Sequence, residues 1–413
     1  MKNCKKILFS PIHYIFEDSL GGSEYSWAFN IGDKLASKFN GSVVVTGIKK
    51  INKKHAYRII EIQKKKDKID MSFLNAIVFN VKYTIKTIQI LFKNDFSILH
   101  HVLPFRIDKT YNFSFFFVKE KTKIIIGPIQ APLSISDNDR SSSDVMGMSK
   151  KGISEKAINF ILRFLYRFLN FLLKYLSGKT LDRADCIIVI NEVACNMLIS
   201  RGVNSNKIKI IPPGVNSRYF SCSSKRKIGN RFEIITVSYL LKRKRIDQIV
   251  EAVKIISKIK TKQKISLRII GDGPQKQKLK EAVENANLDD VVVFEGFVPN
   301  SKIVNYYQNA DIFVSMSKSE SWGQMYLEAM SCGLPVIASK NEGASQMIAN
   351  GKSGFLIEQD DINGLVEKII VLMENNHLRI KFGQDARREV LDKYDWDKVV
   401  IPQYVKLYNT VYE

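Results

Sequence analysis

The chain is poor in cysteine. Cys4, Cys186, Cys195, Cys222 and Cys332 are scattered over 413 residues, and no two form a C-x-x-C. That spacing speaks against a zinc ribbon or a disulfide framework and fits a reducing compartment. The N-terminus lacks the apolar core of a secretion signal. Met1 to Lys6 is basic, but Ser10, Pro11 and His13 break the following apolar stretch at once, so no signal peptide is expected. Carboxylates are scarce beside cations: 41 Asp+Glu stand against 64 Lys+Arg, a formal charge of +23. A field of that sign attracts nucleic acid, anionic lipid headgroups or phosphorylated small molecules. A lysine-rich background composition would give the same excess. Recognisable RNA- or DNA-binding motifs are lacking, as are interleaved aromatics, so no nucleic-acid partner is expected.

Hydrophobic residues make up 45 % of the sequence and charged residues 25 %, the balance of a soluble globular protein. Single domains stop growing near about 250–300 residues, so this length implies two. Short apolar runs alternate with helical patterns in both halves. In the first half, strands are expected at Lys6 to Phe9, Ser42 to Thr46, Ile98 to Val102, Lys123 to Ile126 and Cys186 to Ile190, with a helix from about Glu24 to Phe39. The turn cluster Pro212-Pro213-Gly214-Val215 closes this half. Beyond it, strands are expected at Phe232 to Val237, Ile265 to Ile270, Val291 to Phe294 and Asp311 to Ser315. Helices should cover Asp247 to Ile259, Lys276 to Ala286 and Ser301 to Asn309. Strands that alternate with helices form parallel sheets covered on both faces. The expected fold class is therefore α/β, two doubly wound domains with a ligand site in the cleft between them, beyond the carboxyl ends of the strands.

Two stretches in the middle invite a functional reading. Ala131 to Lys151 is polar and serine-rich and reads as an exposed loop; its Asp137-Asn-Asp139 reads as solvated rather than as a metal site. In Lys156 to Leu176 the polar residues Lys156, Asn159, Arg163, Arg167, Asn170 and Lys174 form one helical stripe, and the remaining positions from Ala157 on are apolar or aromatic. Interior charges make it a poor membrane span. A basic stripe opposite a Phe/Leu face suits a helix lying in a membrane interface, and a nearly all-buried core helix is the competing explanation.

The chemistry-bearing segment is Ser319-Glu320-Ser321-Trp322-Gly323-Gln324-Met325-Tyr326-Leu327-Glu328. It follows an expected strand and turns helical near Gln324. A helix N-terminus presents backbone N–H groups and a positive dipole end, suited to a diphosphate. Gly323 permits close approach to the backbone. Carboxylates on the loop and on the helix can each accept several sugar hydroxyls. Gly271-Asp-Gly273-Pro274 forms another strand-to-helix turn, although it is no G-x-G-x-x-G.

These residues resemble the E-x7-E motif of the retaining GT-B glycosyltransferases of family GT4. Gly333-Leu-Pro-Val-Ile-Ala338, Glu342-Gly343 and Gly351-Lys-Ser-Gly-Phe-Leu356 are similar to the same family. The resemblance is weak from Gly21 and strong after Val189. It implies a GT-B fold: residues 1–220 as an acceptor-side Rossmann-like domain, 221–390 as a nucleotide-sugar domain, and 391–413, with Tyr394-Asp-Trp396, as a helix crossing back. It implies that Glu320 binds hydroxyls of the donor sugar and Glu328 the ribose. Gln324 and Met325 would face sugar and diphosphate through their backbone, and Lys244 would neutralise the leaving phosphate. Gly271 and Gly273 would form the family's glycine turn, with Ser238 and Arg243 nearby, and Val298 would meet the base. In the first domain, Gly21 and Gly22 resemble the glycine loop that approaches phosphate and acceptor, with Gln130 at the family's sugar-side position. His100 and His101 end an expected strand, and His101 is a candidate for the cleft, but the family pattern makes neither catalytic and a paired His at a strand end is more often structural. Two places depart from the pattern. Tyr239 stands where the family has an Arg, for which Arg243 or Arg245 would substitute, and Gln130 stands where many members have a His.

The expected activity is retaining transfer from a UDP- or GDP-sugar to a glycan or lipid-linked acceptor in cell-surface polysaccharide biosynthesis. No metal or other cofactor is implied. The expected location is cytoplasmic, peripheral on the inner face of the cell membrane and drawn there by its anionic surface. A non-catalytic nucleotide-sugar-binding scaffold is the alternative, and a phosphorylase or epimerase on the same fold is a further rival.

Overall fold

The computed structural model describes residues 6–16, 27, 30–50, 57–61, 73–102, 112–131, 178–223, 231–261 and 263–413. The glycine pair Gly21-Gly22, the Asp137-Asn-Asp139 loop and the Lys156 to Leu176 segment lie outside these residues. The described chain divides into two units. One contains the residues before Gly214 together with Ile401–Glu413; the other is Gly214–Val400. The sequence places the first boundary after residue 220. Residues 214–220 instead join the second unit, because Val215 pairs with Asp395 and the Phe220 carbonyl accepts from Ser331 and Arg387. The C-terminal segment begins its return at Ile401 rather than at 391.

The first unit holds a seven-stranded sheet, all of whose strand pairings are parallel, ordered β3-β2-β1-β4-β5-β6-β7. Its strands are β1 Ile7–Phe16, β2 Val43–Lys50, β3 Arg58–Glu61, β4 Ile98–His101, β5 Lys123–Ile129, β6 Cys186–Val189 and β7 Ile208–Ile210. Helix α1, Phe73–Lys93, packs against the sheet through Tyr83 and Leu91, and the Tyr83 hydroxyl donates to the Val45 carbonyl at 2.9 Å. Helix α2, Glu192–Ile199, is capped by the Asn191 side chain. The short strands β3 and β7 and helix α1 escape sequence reading: β3 and β7 are too brief for a clear period, and α1 is apolar on more than one face. Of the expected helix over Glu24 to Phe39, the described part is one wide helical turn at Ile31–Leu35.

The second unit holds a six-stranded parallel sheet ordered β10-β9-β8-β11-β12-β13. Strands β8 Arg231–Val237, β9 Lys264–Ile270, β10 Val292–Gly296 and β11 Ile312–Ser315 lie within a residue or two of their expected bounds. They are followed by β12 Val336–Ser339 and β13 Gly354–Ile357. The intervening helices are α3 Ile246–Ser257, α4 Lys276–Asn285, α5 Asn300–Asn309, α6 Gln324–Ser331, α7 Glu342–Met347, α8 Ile362–Glu374 and α9 Asn376–Lys393; α10, Ile401–Tyr412, belongs to the first unit. Helix α3 shows why the elements form. Ile246, Ile249, Val250, Val253 and Ile256 repeat at helical spacing and are all buried. Each such aliphatic side chain contributes about 1.5–3 kcal/mol on leaving water.

Both sheets are parallel and doubly wound, in the Rossmann-like manner. In each, the strand order reverses beside the first strand, at β1/β4 and at β8/β11. Ligands of such sheets bind outside the carboxyl ends at that reversal. Among the described residues, no helix is long and apolar enough to cross a membrane.

Candidate active site

The reversal in the second sheet sets β8 beside β11 and so brings together residues far apart in sequence. After β8 the chain makes a tight turn, Lys242–Lys244, which leaves through Arg245 in a left-handed conformation. After β11 it runs through a buried loop to α6. Lys244 and Glu320 meet there, 76 positions apart, as a buried ion pair. The Glu320 carboxylate also lies 3.5 Å from Arg243 Nη1 and accepts from Ser317 Oγ at 3.0 Å. Burial works against its charge, but Lys244 and Arg243 outweigh it and hold Glu320 below the usual carboxylate range. Burial likewise pulls the Lys244 ammonium down from its ordinary value, and Glu320 opposes that pull. Two cations thus face one carboxylate, an excess of positive charge that suits an incoming anion.

The loop carrying Glu320 is fixed by its backbone. The Glu320 carbonyl accepts from Gly343 N at 2.9 Å, and a Cβ on Gly343 would stand 2.0 Å from the Trp322 carbonyl, so only glycine fits beneath the loop. Asn341 caps α7 through its Oδ1 and donates from Nδ2 to the Ser317 carbonyl at 2.9 Å. Gly323 starts α6 at φ 86°, with the Tyr326 ring where a Cβ would sit. Gln324 and Met325 form the first turn of α6, at the positive end of the helix dipole.

Glu328 lies one turn further along α6, half-buried, and accepts a hydrogen bond from Tyr307 Oη at 3.0 Å. Burial pushes its pKa up to about 7, and the Tyr307 hydroxyl moderates the rise. Tyr307 itself is fully buried against Phe220 and Phe313.

The neighbouring strand ends pack tightly. Gly271 has φ 130°, and a Cβ there would stand 1.8 Å from the Ser238 carbonyl; Gly273 is similarly hemmed in by the Leu240 backbone. Gly271 N donates to the Gly296 carbonyl at 2.8 Å, which ties the glycine turn to the strand end before Val298. The buried Ser238 Oγ finds no partner among the described residues. Tyr239 is 60 % exposed. Of the two candidate substitutes for the missing Arg, Arg245 is drawn into an ion pair with Asp360, which also binds Gln248. Arg243 stays at Glu320 and, among the described residues, spends only Nη1 there, on the carboxylate and on the Ser319 carbonyl at 2.8 Å.

In the first unit, His100 and His101 end β4. His100 Nε2 donates to the Gly127 carbonyl at 2.9 Å, so Nδ1 is the acceptor for the Tyr408 hydroxyl. Burial drives its pKa down to about 3, and the imidazole is neutral. This is a structural histidine that holds α10 on the sheet. His101 is buried with its ring edge-on to Phe115 at 5.8 Å, and Gln130 is buried at the end of β5.

The structure thus joins Lys244, Arg243 and Glu320 directly, and sets Ser238, Gly271 and Gly273 along the adjoining strand ends. Sequence reasoning did not identify Ser317, Asn341 or Tyr307, since isolated Ser, Asn and Tyr residues carry no spacing signal. These residues gather at the carboxyl ends of the second sheet, at its reversal. Residues 222–389 match the family described as "Glycosyl transferases group 1".

This segment, less than half of the chain, resembles a group 1 glycosyl transferase domain. Over 178 residues the chain is 32 % identical to N-acetyl-alpha-D-glucosaminyl L-malate synthase of Bacillus anthracis, covering 43 % of this chain and 45 % of that protein. The chain thus spans less than half the length of that curated relative. Its fold matches sucrose-phosphate synthase from Thermosynechococcus elongatus with a TM-score of 0.72 at 18 % identity, covering 98 % of each chain. It also matches Anabaena HepE, solved in complex with UDP-glucose, with a TM-score of 0.66 at 16 % identity, covering 98 % of this chain and 100 % of that one.

Proposed function

We propose that the protein is a retaining glycosyltransferase that moves a sugar from a nucleotide-sugar donor to a glycan or lipid-linked acceptor in cell-surface polysaccharide biosynthesis. The observation that carries this is the Lys244–Arg243–Glu320 cluster at the sheet's reversal, beside a helix N-terminus and glycine-lined strand ends. The group 1 domain and a fold shared with a UDP-glucose complex support a nucleotide-sugar donor.

Lys244 and Arg243 stabilise charge that grows on the leaving diphosphate as the glycosidic bond breaks, a contribution of about 10²–10³ in rate for one well-placed donor. The first-turn N–H groups at Gln324 and Met325 take the phosphate oxygens. Glu320 accepts sugar hydroxyls and Glu328 those of the ribose, while Ser238, Gly271, Gly273 and Val298 line the nucleotide. The acceptor hydroxyl attacks on the face that the phosphate vacates, and the departing phosphate takes its proton. Gly21, Gly22, Gln130 and His101 are the first unit's candidates for acceptor contact. No metal or other cofactor takes part in the proposed reaction, and the enzyme works peripherally at the inner membrane face.

The test is a panel of UDP- and GDP-sugars with thermal shift and slow donor hydrolysis read together. One donor that both stabilises and is hydrolysed is expected, with an α-linked donor giving an α-linked product by NMR. Stabilisation without turnover, repeated with membrane extract as acceptor source, overturns the catalytic reading in favour of a nucleotide-sugar-binding scaffold. The exposed Tyr239 in place of a cation would then be the cause.

A further inference from the structure

Helix α1 has an outer face that the core does not use. Tyr83, Ile90 and Leu91 are buried, but Val81 and Ile85 are each 52 % exposed and Phe92 is 66 % exposed. At helical spacing these three apolar residues fall within about 40° of one another, in a single stripe. Lys82, Lys86 and Lys93 are exposed as well and form a second, parallel stripe, centred roughly 100° from the first. The whole helix, Phe73–Lys93, contains no Asp or Glu. The adjoining turn Phe113–Phe117 packs against α1 and adds Phe116 and Phe117, 45 % and 49 % exposed, with the Arg183 guanidinium over the Phe116 ring. Asp95, the first carboxylate beyond the helix, is already paired with Lys119.

A soluble surface has no use for an apolar stripe of this length, and a solvated helix would intersperse carboxylates among its lysines. Apolar side chains beside a row of ammonium groups fit a bilayer interface. The rings and branched chains enter the acyl boundary while the lysine stems reach the anionic headgroups. The absence of any carboxylate on the helix and the chain's charge of +23 select an anionic surface over a neutral one.

We infer that the outer face of α1, with Phe116 and Phe117, docks this protein on an anionic lipid bilayer. This gives the expected membrane association a surface made of described residues. It does not depend on the assignment of transferase activity, since binding to vesicles is read without turnover.

The test is co-sedimentation of the full-length protein with vesicles of phosphatidylcholine, with and without phosphatidylglycerol. One triple variant carries Lys82→Gln, Lys86→Gln and Lys93→Gln; a second carries Val81→Ser, Ile85→Ser and Phe92→Ser. All six positions are exposed, and circular dichroism and thermal melting check that each variant is folded. The wild type should prefer the phosphatidylglycerol vesicles and be released by salt. The lysine variant should bind them about 100-fold more weakly, the sum of three headgroup contacts. The apolar variant should also be lost from the pellet. Sedimentation of both variants like the wild type would overturn the inference. So would a wild type that ignores vesicles but self-associates through Val81, Ile85 and Phe92, because the face would then be an interface between copies.

Discussion

Glu328 shows how burial sets the working range of one carboxyl. Its pKa of about 7 in the unliganded fold lies above the ordinary carboxylate value, so the folded protein holds the proton that an unfolded chain would release. In the proposed ribose role, the ionised carboxylate is the stronger acceptor for ribose hydroxyls. Donor affinity should therefore weaken as pH falls through about 7, by up to tenfold per unit, and Glu328→Gln should bind weakly with a flat pH profile. Calorimetric titration between pH 6 and 8 checks this, and a flat wild-type profile would remove the ribose role. The phosphate cation is a second question at this scale. With Arg245 held by Asp360, Arg243 is the residue with guanidinium N–H groups to spare beside Glu320. Arg243→Gln should lower kcat by about 10²-fold, while Arg245→Gln should change it little. Adding Tyr239→Arg to the Arg243 variant should restore part of the loss by returning a cation to the family position. Equal losses for both arginines would show that the cluster acts only through its net field. Burial moves the His100 pKa in the opposite direction from that of Glu328, and the quantity it governs is stability rather than donor affinity. Its pKa falls to about 3 in the fold and lies near 6.5 in the unfolded chain, so its contribution is complete above about pH 6.5 and is lost as pH falls toward 3. Melting curves should show stability falling by up to about 1.4 kcal/mol per pH unit below 6.5, and His100→Gln should flatten that slope.

At the scale of elements, the site depends on α6 starting where it does. Gly323 supplies the left-handed residue that turns the loop into the helix, and the Tyr326 ring fills the space a side chain would need. Gly323→Ala should cost roughly 1–3 kcal/mol of stability, read by denaturant titration, and should weaken donor binding as well, because the first N–H groups would shift. A neutral outcome would mean that the loop relaxes freely. Gly343 and Asn341 brace the same loop from α7, through the Glu320 and Ser317 carbonyls. The Glu342-Gly343 pair was visible in the sequence as part of the resemblance. Its physical reason, contact with the Trp322 carbonyl, was not, since that contact joins a helix start to a loop some twenty residues earlier.

At the scale of the whole molecule, the candidate site is built from residues of the second unit, and α10 belongs to the first, where Tyr408 bonds His100. A ligand that binds only the folded state should stabilise the protein by about 2.7 kcal/mol at a hundredfold excess over Kd. Differential scanning calorimetry with the matching nucleotide sugar measures this. No shift with any donor in the panel would count against the nucleotide-sugar site altogether.

The sequence by itself determined the alternation of strands and helices in the second unit as far as β11, five strands of the first sheet, and the strand-end location of Glu320, Gly271 and Gly323. Those features are local: hydrophobic period and turn chemistry operate over a few residues. It also marked Glu328 as the helix carboxylate of that segment, and Lys244 only through resemblance. Tertiary structure decided what those residues do to one another. Only the β8–β11 neighbour relation brings Lys244 and Arg243 to Glu320. Only the packing of α5 on α6 sets Tyr307 against Glu328. Only the docking of α1 on its sheet distinguishes the apolar residues that face the core from Val81, Ile85 and Phe92, which face outward. Period alone gives a helix its stripes; the surrounding fold decides which stripe is buried.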